Sequence, residues 1–171
     1  MKKLVYLVLA FAGFVFISCD KDEVGGTATE SLAGEWVVTA DQMVNDTTIL
    51  FEDGFGVGKF KLYTYNTSNN TSTQMWIDDM KNFWDFKVKV GCDAQGLTFS
   101  SDTAVANVSY DCKVVVTGGK ILPGAATTPS GTKADSIVFF VSFDDDGNAA
   151  KYGYATHKIA GYRYTGLTVD D

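Results

Sequence analysis

Chemistry in a short chain needs a nucleophile, a base or a ligand set, and this sequence offers few. His157 is the only histidine among the 171 residues. It lies between Thr156 and Lys158 on a stretch that reads as a late strand, so any acid–base triad would rest on it alone. A strand histidine with one hydrogen-bond partner is the plainer reading. No Gly-X-Ser-X-Gly run occurs, which leaves a hydrolase nucleophile without its sharp strand-to-helix turn. Asp78 and Asp79 are adjacent acids that, with Glu52 or Asp85, could form a glycosidase carboxylate pair. On a strand, however, neighbours face opposite ways, and on a turn such acids cap backbone amides. Asp144-Asp145-Asp146 lacks the alternate ligand spacing of a calcium loop and predicts a polar turn. Cys92 and Cys112, 20 positions apart, do not make a tetrahedral metal site with a lone histidine. The expectation is no metal, no cofactor and no visible catalytic constellation.

Cys19 is the residue whose surroundings specify a chemistry. Lys2 and Lys3 precede an uncharged run from Leu4 to Phe16, and Ile17-Ser18-Cys19 follows at once. That is the layout of a secretory signal, too short for a comfortable bilayer span. A small residue followed by Cys in this place resembles the lipobox of bacterial lipoproteins, although Phe16 stands where Leu is usual. The resemblance implies cleavage after residue 18, lipidation of Cys19, and a membrane anchor resting on acyl chains. The boundaries that follow are a signal over residues 1–18, a lipidated tether over 19–31 and one domain over 32–171. In an oxidising envelope, Cys92 and Cys112 would form a disulfide, the alternative being two buried thiols. The chain carries a net charge of −7, and loss of the two signal lysines makes the domain more acidic still. No basic stripe remains to replace phosphate counterions, so nucleic acid is not an expected partner. Asp20-Lys21-Asp22-Glu23 resembles the acidic signal that sends some Gram-negative lipoproteins to the outer face of the outer membrane; otherwise the protein would face the periplasm.

The elements that must position these residues read as strands. Short β-forming runs cover 34–40, 47–51, 59–65 and 76–79. The clearest alternation sets Trp84, Phe86, Val88 and Val90 against Asp85, Lys87 and Lys89. Further runs cover 97–100, 104–110 and 112–117, with Gly118-Gly119 as a turn and a Pro/Gly-rich loop over 122–134. Residues 136–143, 149–159 and 161–167 close the chain, and one brief helical turn is expected near 78–82. The sum is an all-β domain of about eight to ten antiparallel strands, which a barrel would close without exposed edges.

Gly34-Glu35-Trp36 matches the Gly-X-Trp of lipocalins, and Arg163, the only arginine, stands near the other end. That resemblance implies a plug in which the guanidinium packs across the indole. The lipocalin Thr-Asp-Tyr motif and C-terminal helix are missing. A wider resemblance rests on Leu62-Tyr63-Thr64-Tyr65-Asn66-Thr67, Trp76-Ile77-Asp78-Asp79, the stretch from Trp84 to Val90, Asp135-Ser136-Ile137 and Gly161-Tyr162-Arg163-Tyr164-Thr165-Gly166. These look like the small envelope lipoproteins labelled "lipid-binding putative hydrolase", which implies a lipocalin-like β-barrel. A small apolar ligand or lipid is the partner this suggests, in a cavity lined by Phe60, Leu62, Trp76, Trp84, Phe86 and Val88. The alternatives are a glycan-contacting module using outward rings such as Tyr63, Tyr65, Tyr152 and Tyr154, or a hydrolase of unknown substrate.

Overall fold

The computed structural model describes residues 25–170; the signal, Cys19 and the first part of the tether lie outside the described residues. A 3₁₀ turn at Glu30–Leu32 leads into β1 (Gly34–Met43) and its short partner β2 (Ile49–Phe51). Then come β3 (Phe60–Asn66), β4 (Gln74–Asp78), β5 (Lys87–Asp93), β6 (Thr98–Ser100) and the two-residue β7 (Val105–Ala106). The long β8 (Lys113–Thr127) and β9 (Lys133–Phe143) precede a helical turn, α1 (Asn148–Tyr152), and β10 (Thr156–Arg163). Hydrogen bonding runs β10-β9-β8-β6-β5-β4-β3-β1, and β1 pairs back onto β10 from Trp36↔Arg163 to Gln42↔His157. Eight antiparallel strands therefore close into a barrel, with β2 and β7 as additions on β1 and β8.

Alternation fills the interior. Val38, Leu62, Met75, Ile77, Val88, Val116, Ile137, Phe139 and Ile159 all point inward and are essentially inaccessible. An eight-stranded barrel is just wide enough for its own side chains, and here they occupy it.

Three stretches differ from expectation. Gly118-Gly119 is not a turn: β8 passes through it, its register against β9 slipping between Thr117 and Lys120. Gly118 takes a φ of +63°, and Phe99 packs so closely on Gly119 that a Cβ there would lie 2.3 Å from its ring. A glycine pair in this place is a bulge that lets β6 approach. β8 also continues over the proline-containing segment, with a second register shift between Leu122 and Ala126 where Pro123 owes no amide to the ladder. The helical turn falls at α1, not near 78–82; it is terminated by Gly153 at φ +75°, whose N–H bonds to Ala149 O.

Candidate functional site

The two barrel ends are built differently. At the end where β1 begins, the Arg163 guanidinium lies 4.4 Å from the centre of the Trp36 ring and donates to Ala33 O at 2.6 Å and to Asp135 Oδ2 at 3.1 Å. Trp36 is fully buried and its Nε1 donates to Thr64 Oγ1 at 2.8 Å, which in turn donates to Leu32 O at 2.6 Å. Gly34 is required by this packing, since a Cβ would lie 2.3 Å from the Arg163 guanidinium nitrogen. The Trp36 indole N–H, the Thr64 hydroxyl and the Nε and Nη1 groups of Arg163 all have partners.

The opposite end is organised by aspartates. Asp79 is nearly inaccessible, and its carboxylate accepts from the amides of Lys81, Phe83, Trp84 and Phe86 at 2.7–3.1 Å. Burial pushes its carboxyl above the ordinary value, against the pull of those four amides. The β4–β5 loop thus folds around one side chain, with Met80, Lys81 and Asp85 at positive φ. Asp79 is a capping residue and not half of a carboxylate pair. Its loop carries Phe83 and Trp84 over the barrel mouth, so Trp84 precedes β5 instead of continuing its alternation.

The turn after β9 uses each of its acids separately. Asp144 Oδ1 accepts from Lys113 N, while Asp145 accepts from Trp84 Nε1 at 3.1 Å, Tyr110 Oη at 2.7 Å and Cys112 Sγ at 3.4 Å. Burial pushes the Asp145 carboxyl up, but the bonds from Tyr110, Trp84 and Cys112 more than reverse this and leave it below the ordinary value. Asp146 accepts from Asn148 N at the start of α1 and faces His157 Nε2 at 2.8 Å, the pair buried together.

His157 is 0 % exposed, and burial holds its pKa below the ordinary value despite Asp146. The ring is therefore neutral at pH 7, its Nε2–H donates to the carboxylate, and Nδ1 is left as a bare acceptor. Nδ1 has no partner. Four rings surround it: Phe55 at 5.3 Å, Phe83 at 5.5 Å, Trp84 at 5.6 Å and Phe143 at 6.2 Å between centres. Trp84 stacks on Phe143 at 4.6 Å, Phe55 meets Trp84 edge-on at 5.3 Å, and Phe55 itself is 45 % exposed. Opposite His157 on β1 stands Gln42, 3 % exposed, whose Nε2 also lacks a partner. Beside Phe55 opens a cleft of about 490 Å³ lined by Gln42, Phe51, Gly54, Asn148, Lys151 and Tyr152 among others. The remaining buried atoms without partners, the hydroxyls of Thr29 and Thr67, belong to the Trp36 end.

The expected ligand residues are dispersed. Leu62, Phe86 and Val88 are inaccessible core, and Phe60 is nearly so, stacked on Phe83 at 5.6 Å. Trp76 is on the outer face, with Lys87 Nζ 5.6 Å from its ring, and only Trp84 belongs to the mouth. Lysines lie over several outward rings, Lys59 over Tyr162, Lys61 over Tyr164 at 3.9 Å, Lys87 over Tyr65 and Lys151 over Tyr152, while the Tyr154 hydroxyl donates to Asp46. Cys92 and Cys112 do not form the expected disulfide. Both are free thiols with separate partners, Cys92 Sγ at Ser72 O and Cys112 Sγ at Asp145. They sit at opposite ends of their strands, Cys92 near the end of β5 and Cys112 before the start of β8, which keeps them apart. Sequence reasoning missed Phe55, Phe83, Gln42 and the Asp146–His157 pair. The signals on offer were a glycine-flanked aromatic and an acid eleven residues before the only histidine.

A family model described as "lipid-binding putative hydrolase" matches residues 21–168, nearly all of the chain beyond the proposed signal. No curated protein matches the chain.

Proposed function

We propose that this chain, which belongs to the "lipid-binding putative hydrolase" family, is an envelope-anchored lipoprotein that takes a small apolar or amphipathic, lipid-like ligand at its aromatic mouth. The observation that carries this is the convergence of Phe55, Phe83, Trp84 and Phe143 from three separate segments on one barrel end. Rings gathered from distant segments, one of them 45 % exposed, are what an apolar tail would meet first. The axis of the barrel is no alternative, since Phe139, Val88 and Ile137 leave no room along it. Sugar stacking is disfavoured at Tyr65, Tyr152 and Tyr164, whose rings lie under lysines. Hydrolysis is disfavoured because, among the described residues, His157 has an acid but no hydroxyl or thiol bonded to Nδ1.

Cys19, lipidated after removal of residues 1–18, anchors the protein to the bacterial outer membrane, and residues 19–31 are the tether. That tether enters through Glu30–Leu32 at the Trp36 end, so the mouth faces away from the anchoring membrane. The acidic residues after Cys19 favour the cell surface over a periplasmic face. The test is native mass spectrometry of a Cys19→Ser chain recovered from its host's envelope. A discrete extra mass in the range of a fatty acid or small lipid, lost in Phe55→Ala/Trp84→Ala, supports the reading. A clean apo mass from a folded protein overturns it.

A further inference from the structure

Two polar atoms at the mouth have no business being unpaired. A buried amide or imidazole nitrogen without a partner destabilises its protein unless something outside supplies the missing bond. His157 Nδ1 and Gln42 Nε2 are both in this state, and both belong to side chains more than nine-tenths buried. They are also neighbours: Gln42 and His157 are directly opposed in the β1–β10 ladder, so their side chains leave the same face side by side. One is an acceptor and the other a donor. Nδ1 is a bare lone pair because Nε2–H is committed to Asp146 at 2.8 Å, and Gln42 Nε2 carries two N–H groups.

We infer that the mouth reads the polar end of its ligand through this pair, and that the ligand's head is an uncharged hydroxyl. The hydroxyl O–H donates a hydrogen bond to His157 Nδ1 and the hydroxyl oxygen accepts one from Gln42 Nε2–H, while the tail lies against Phe55, Phe51 and Trp84. Gln42 lines the open cleft directly; His157 does not, and lies behind Phe55 at 5.3 Å between ring centres, so Phe55 has to turn aside to admit the head. Charge selects against other heads. The imidazole is held neutral by burial, and the cleft is lined by Glu52 and Asp53 against the single Lys151, a balance that repels carboxylate or sulfonate. An ether or ester oxygen could receive Gln42 but would leave Nδ1 bare, and an alkane would leave both.

This inference rests on the mouth-binding reading above, and the experiment separates the two. The probes are 1-decanol, 1-methoxydecane and decane-1-sulfonate, each titrated against the Cys19→Ser chain with tryptophan fluorescence as the signal. Decanol is expected to bind at least fivefold more tightly than the methyl ether, with the sulfonate weakest. Gln42→Met, which keeps the bulk and removes the donor, should weaken decanol several-fold, leave the ether less affected, and raise the thermal midpoint of the apo protein by removing an unpaired amide. If none of the three probes binds, the mouth-binding reading fails and this inference with it. If all three bind alike, that reading stands and the hydroxyl inference is overturned. Decanol selectivity that survives Gln42→Met unchanged overturns the role of Gln42. The selectivity of the unmutated chain decides the question even if the variant folds poorly.

Discussion

The closed end of the barrel makes a prediction that depends on one missing methyl group. Gly34 faces Arg163 so closely that an alanine Cβ would lie 2.3 Å from a guanidinium nitrogen, whereas its nearest contact outside Arg163, Trp36 Cε2, is at 3.2 Å. Gly34→Ala therefore acts mainly by evicting the guanidinium. What is lost is the bond to Ala33 O, worth about 1.5–3 kcal/mol for a charged donor, and part of a cation–π contact worth about 0.5–2 kcal/mol. The half-exposed ion pair with Asp135 adds about 0–1 kcal/mol at most. Replacing glycine on a strand returns about 0.5–1 kcal/mol, so the net cost of Gly34→Ala is about 1.5–3 kcal/mol. Arg163→Ala should cost about 2–4 kcal/mol by the same contacts. In the Arg163→Ala background the obstruction is gone, and Gly34→Ala should fall to within about 0.5 kcal/mol of neutral. Urea unfolding of the four proteins, followed by tryptophan fluorescence, gives the cycle. Additive costs would refute the argument, because they would mean that the glycine is needed for some reason other than the arginine.

Two other outcomes follow from the same geometry. Because His157 is the only histidine and burial depresses its pKa, the unfolded chain takes up a proton near about pH 6.5 that the folded chain refuses. Stability should therefore fall as pH drops from 7 toward 5.5, and His157→Gln should flatten that slope; an unchanged slope in the variant would remove His157 as its source. On the Cys19→Ser chain, iodoacetamide at pH 8 should label Cys92 well before Cys112, whose thiol burial pushes up to about 11. An unlabelled protein two mass units light would instead show a bridge.

Strand content was legible because inward and outward residues alternate, as at Phe86, Val88 and Val90 against Lys87 and Lys89. Trp84 obeys the same alternation and yet is not in the strand. Its place is decided by Asp79, which collects amides from four later residues, and by Asp145, 61 positions away. Gly118-Gly119 misled for a related reason: glycines mark turns and bulges alike, and the choice was made by Phe99 arriving from another strand. The aspartate turn was legible as a polar turn, but not the separate task of each acid, since their donors come from Lys113, from Tyr110 and Trp84, and from His157. The ligand residues were placed on the strands' inner faces, which is correct for a barrel with spare volume. Here the inner faces are packed against one another, and the mouth joins the strand residues Gln42, Phe143 and His157 to the loop residues Phe55, Phe83 and Trp84, which no periodicity marks.

The contrast between the two ends bears on function more than either end alone. Both ends cap the same apolar interior with aromatic rings and both place a cationic or imidazole nitrogen among them. At the Trp36 end the plug itself is paired, indole to threonine, threonine to backbone, arginine to backbone and aspartate, although the buried hydroxyls of Thr29 and Thr67 beside it have no partner. Such a network rigidifies and closes. At the mouth the equivalent polar atoms, Gln42 Nε2 and His157 Nδ1, are buried just as deeply and left without partners, under a ring that is nearly half exposed. An exposed phenylalanine over an unpaired donor and acceptor is a local cost with no structural return, and costs of that kind concentrate where a protein binds something.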